Sequence, residues 1–167
     1  MPRRKATPEE RATVLKLLKR WHEATLVIEE ATDRMKANAA DPSLGIQSVD
    51  YEKARVTAMA VVDAVGREGA EPGFWPELGG RKGPAVLAAF KQKWDEALVC
   101  QLNVLRVWGL AAAAFRNKRV TDAPPIQELM SLASELASRL DEIGMLGAAL
   151  AIHYKIPAKE LEKEEEE

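Results

Sequence analysis

From Ile126 to Tyr154, apolar or small residues return at Ile126, Leu129, Ala133, Leu136, Leu140, Ile143, Gly147, Leu150 and Tyr154, spaced alternately three and four apart. Residues so spaced share one face of a helix, so the segment is a long helix that packs lengthwise on other helices. A second stripe runs through Val14, Leu18, Trp21, Thr25, Ile28, Thr32 and Met35, and Leu17, Ala24 and Ala31 widen it to the breadth of a core-facing helix. Thr7-Pro8-Glu9-Glu10 supplies its start: an N-cap threonine, a proline at the first helical position and acids in the first turn. Asp41-Pro42-Ser43-Leu44-Gly45 turns the chain after it.

Between these two helices the pattern predicts two more. Tyr51, Ala54, Ala58, Val61 and Val65 give a narrow stripe on a helix from about Ser48 to Gly69, and Leu87, Phe90, Trp94, Leu98, Leu105, Trp108, Ala112 and Phe115 give a heavy one from Pro84 to about Arg119. They are joined by Glu71 to Gly83, whose prolines and glycines forbid continued helix and which carries the adjacent aromatics Phe74 and Trp75. No stretch alternates apolar and polar residues between turn residues as a hairpin would. The fold class predicted is all-α: four long, mainly antiparallel helices in one bundle over residues 1–157, at about 8–40, 48–69, 84–119 and 124–154, with one long crossover. Residues 158–167 read as an acidic flexible tail.

Composition narrows the setting. A chain of 167 residues is about one domain and needs no staple to hold its core. The single cysteine, Cys100, excludes a disulfide framework within the chain and points to a reducing compartment. The first residues lead into charged helical sequence and no run is read as long enough to span a bilayer, so a cytoplasmic protein without a membrane partner is expected. Charge is uneven: residues 41–80 hold three basic and seven acidic side chains, residues 81–119 eight basic and two acidic.

The residues offer little for catalysis. His22 and His153 lack the glutamate three positions earlier that a carboxylate-bridged di-metal bundle requires, since Lys19 and Leu150 stand there. One cysteine and two separated histidines do not close a zinc site. Cys100 lies in an aliphatic run, as buried filling does, and the neighbouring acids Asp95-Glu96 and Asp141-Glu142 project about 100° apart, too far to face one substrate together. Gly79-Gly80-Arg81-Lys82-Gly83 lacks the spacing and the preceding strand of a phosphate-binding loop and reads as a solvated link. No enzyme, metal or cofactor is expected.

Binding is the remaining class. Phe74 and Trp75 are candidate anchors for a protein partner or for self-association, if they do not fold back on their own core. Helix four is unusually rich in small residues, Ala133, Ala137, Gly144, Gly147, Ala148 and Ala151, which suits close approach of another helix. Lys91, Arg106 and Arg116 fall within roughly 80° of arc on an ideal helix, flanked by Arg81, Lys82, Lys118 and Arg119, and this stripe is the candidate for gripping nucleic-acid backbone. Arg106-Val107-Trp108-Gly109-Leu110, followed by an alanine run, resembles the Arg-x-x-Gly-Leu segment of a small helical subunit of type III CRISPR effector complexes. The resemblance covers about a dozen residues and implies the same backbone-gripping role. The leading reading is a non-enzymatic helical subunit that packs into a homo-oligomer or a larger phage or nucleoprotein assembly; a nucleic-acid-binding accessory subunit is the alternative.

Overall fold

The hydroxyl of Thr7 accepts a hydrogen bond from Glu10 N at 3.1 Å, and Pro8 takes the first helical position, where its missing N–H costs nothing. The chain's first helix starts there. A computed structural model describes residues 6–41, 43, 45, 48–119, 121 and 124–162, apart from the side chains at 39, 126 and 162. It contains α1 (Pro8–Ala40), α2 (Val49–Ala70), α3 (Lys82–Arg116), α4 (Ile126–His153) and the short α5 (Ala158–Glu162). The structure is 82% helical with no strands among the described residues, the all-α bundle that the periodicity predicts.

Cross-helix contacts give the direction of each helix. Arg20 on α1 bonds Glu68 on α2; Glu52 and Tyr51 at the start of α2 meet Arg116 and Trp108 late in α3; Lys93 and Glu96 early in α3 reach Glu142 and Arg139 in α4. From α1 to α4 each helix therefore runs antiparallel to the next, and α1 stands diagonally across from α3.

Both ends of α3 differ from the spacing-based expectation. It begins at Lys82, ahead of Pro84, and ends at Arg116 because Lys118 takes a left-handed φ of 59° that lets Arg119 N close on Ala114 O at 2.8 Å. α4 closes the same way: Lys155 has φ 54° and Ile156 N bonds Ala151 O at 2.8 Å. That reversal aims the chain back along the bundle, so residues 158–162 are helix rather than a loose tail. Ile156 is buried, Leu161 packs on the core, and Arg11 of α1 grips both oxygens of Glu160 at 3.1 and 2.9 Å. Residues 163–167 of the expected tail lie outside the described residues.

The core divides in two along the axis. The lower half gathers Val14, Leu18, Phe90, Trp94, Ile143 and Leu150; the upper half gathers Tyr51, Val62, Leu105, Trp108 and Leu136. Each such side chain, fully buried, contributes about 1.5–3 kcal/mol. Phe115, placed by its spacing on the core face, is instead exposed at the fraying end of α3. Helix α3 also corrects the reading that no run could span a bilayer, since its length and hydropathy of 1.5 over 18 residues meet that requirement; half of that window is buried inside the bundle.

At the junction of the two halves sits Gln101, 2% exposed, with neither amide atom bonded to any described residue. It borders cavities of about 30 and 10 Å³ along the seam between α1 and α4. A buried amide without a partner costs about 1–3 kcal/mol. Replacing it by methionine, which keeps length and removes both polar atoms, is expected to raise the free energy of unfolding by about 1 kcal/mol in a urea titration. A lowered midpoint would mean that the amide is satisfied inside the bundle.

Candidate functional site

Helix α3 buries one side and leaves the other bare. Opposite Phe90, Trp94, Gln101 and Trp108 it presents Val99, 68% exposed, with Leu102, 49% exposed, and Leu110 on the same outer side. The neighbouring α2 adds Val56 and Met59, both exposed. Of the eleven large apolar side chains exposed among the described residues, seven belong to α2 and α3.

Arginines are set among these side chains. Arg55 lies across Gly109, where an added Cβ would stand 3.2 Å from Nη1, so a side chain there would require the guanidinium to shift by a few tenths of an ångström. Its Nε donates to Glu52 Oε2 at 3.0 Å and its Nη1 to Met59 Sδ at 3.0 Å. Glu52 also faces Arg116 at 3.6 Å, so one carboxylate stands between two guanidiniums. The hydrogen bond from Arg55 holds the Glu52 carboxyl below its ordinary range, and the reciprocal bond holds the Arg55 guanidinium above its own. Arg106 donates to Asn103 Oδ1 at 2.8 Å and remains exposed between Leu102 and Leu110.

The cations singled out from the sequence do not form one continuous track. Along α3, Lys91 and Arg106 are about 22 Å apart and Arg106 and Arg116 about 15 Å apart. Lys91 Nζ lies 5.5 Å from the Trp75 ring centre. Arg81 and Lys82 are exposed at the lower end of α3, and Lys118 and Arg119 are exposed just past its upper end.

Phe74 and Trp75 close the bottom of the bundle. Both are half-buried; Trp75 meets Phe74 at 5.1 Å and Trp94 at 5.5 Å in edge-to-face contacts, and its Nε1 donates to Gly69 O at 2.9 Å. As anchors for another subunit they are already engaged, because the loop that carries them folds back over the lower core.

The chemistry-bearing residues stand apart. No group of three or more His, Cys, Asp or Glu side chains comes together among the described residues. His153 packs edge-on to Tyr154 at 4.9 Å, and His22 is half-buried on α1. Cys100 is buried, and burial pushes its thiol up, which disfavours the thiolate.

Sequence reasoning found Arg106 and Arg116 but missed the apolar side chains beside them. A signal was present: Val99, Leu102, Arg106 and Leu110 repeat at helical spacing on the side opposite the core stripe. The Glu52 cluster has a pH signature. Because its carboxyl is lowered on folding, its stabilisation is present above the unfolded carboxyl pKa and is lost as pH falls through the folded one. Unfolding free energies of the wild type and Glu52→Gln, measured from pH 7 to pH 3, should therefore converge on acidification from a gap of up to about 1 kcal/mol. Comparison with protein-family models, curated proteins and solved structures found no match to this chain.

Proposed function

We propose that the protein is a non-enzymatic helical assembly subunit, and that the α2/α3 face is the surface through which it docks another helical surface. The observation that carries this reading is the exposed group Val56, Met59, Val99, Leu102 and Leu110 with Arg55, Arg106 and Arg116 around it. Apolar side chains fixed on two rigid helices need no ordering before they meet a partner, and arginine is the cation favoured at interfaces. Truncating one such leucine at the centre of an interface removes about 1.5–3 kcal/mol of burial.

The same face supports a nucleic-acid backbone reading less well. Exposed valine and leucine interrupt the cations, Arg116 is paired with Glu52, and spacings of roughly 15–22 Å along α3 are far coarser than the phosphate repeat.

Light scattering over a concentration series tests the proposal. Wild-type protein should exceed the monomer mass of 18.4 kDa as concentration rises. A Leu102→Glu/Leu110→Glu variant, with unchanged helical circular dichroism, should remain at the monomer mass under the same conditions. Equal association of the two would remove the α2/α3 face from consideration.

A further inference from the structure

Resting on that reading of the α2/α3 face, we infer that its occupant is a second copy of this chain, which presents the outer strip of α1. That strip is the electrostatic counterpart of the α3 face. Leu26 is 53% exposed and shares a shallow surface depression with Glu29, Glu30, Asp33 and Arg34; Arg34 pairs with Glu30 at 3.3 Å, which leaves the depression three acids against one base. These positions recur at the three- and four-residue spacing of one helix face, opposite the side that buries Ala24, Ile28, Ala31 and Met35.

The two patches correspond in detail. On α3, Arg106 stands one turn from both Leu102 and Leu110; on α1, Glu29 and Glu30 stand about one turn from Leu26. Seating Leu26 beside Leu102 with the two helices parallel, or beside Leu110 with them antiparallel, brings the two glutamates to Arg106. In the parallel seating the exposed cations Lys118 and Arg119, and Arg116 beside Glu52, lie farther along the same direction. Local charge fits the pairing: residues 81–119 carry eight basic side chains against two acidic, and residues 23–33 of α1 carry four acidic side chains and no lysine or arginine, although α1 as a whole is balanced.

Different patches on the two partners make the contact heterologous. Helices α1 and α3 occupy opposite corners of the bundle, so a copy docked on one patch leaves the other free. Successive copies then add head to tail, as an open filament or a closed ring.

Complementary charge reversal tests the pairing. One variant carries Glu29→Lys and Glu30→Lys on α1; a second carries Arg106→Glu and Arg116→Glu on α3. Mass is measured by light scattering at low and moderate salt, for each alone and for an equimolar mixture, with circular dichroism as the control for folding. Wild type should associate, less so as salt rises. Each variant alone should associate at least tenfold more weakly, and the mixture should regain the wild-type mass, because each reversed patch now meets its opposite on the other variant. Wild-type association that survives reversal of α1 would overturn the inference. If it were then lost in Leu102→Glu/Leu110→Glu, the α2/α3 face would remain the docking surface with a different occupant. A wild type that stays at 18.4 kDa under every condition would overturn both this inference and the reading beneath it.

Discussion

The bundle depends on α3 finding apolar neighbours on both flanks at once. Phe90 and Trp94 hold the lower core with α1 and α4, and Trp108 stacks on Tyr51 of α2 in the upper core while its Nε1 reaches Leu129 O of α4 at 3.4 Å. Without α3 the α1/α2 hairpin and α4 share only a narrow seam. The helix that joins everything carries an 18-residue run of mean hydropathy 1.5, and only half of that run is enclosed by the bundle. The remainder emerges as Val99, Leu102 and Leu110 on its outer side. One constraint thus produces both the fold and the exposed face.

Much of the fold was legible because helical periodicity is a local property. The stripes of α1 and α4 were read nearly residue for residue, since an alternating three-and-four spacing leaves few other structures open to them. Gln101 was passed over because a polar residue interrupts an apolar pattern on paper, yet its position on the helix puts it in the core. Phe115 was read inward because spacing alone carries no knowledge of where neighbouring helices stop. Residues 158–162 looked like tail because one leucine among charges gives no periodic signal. Their helix depends on the turn at Lys155 and on Arg11, which lies far away in sequence.

The functional surface was only half legible for a related reason. Charge can be counted along a chain, and the cationic block around α3 was visible at once. What those charges face is a three-dimensional matter: Lys91 rests near an indole, Arg116 shares Glu52 with Arg55, and Arg106 stands between two leucines. Phe74 and Trp75 show the converse. Two aromatics in a glycine-rich loop look available until Gly69 O and Trp94 are found within reach.

The aromatic closure at the base has an optical consequence. Trp75 and Trp94 are near neighbours at 5.5 Å with rings almost perpendicular, and Trp21 joins the same cluster through Phe90, whereas Trp108 sits apart in the upper core beside Tyr51. Indoles so close exchange excitation and couple their transition dipoles, giving the lower half a near-ultraviolet signature of its own. Trp108 reports separately on the upper half. The two halves on either side of Gln101 thus carry distinct built-in chromophores, and their melting can be followed independently without attaching a dye.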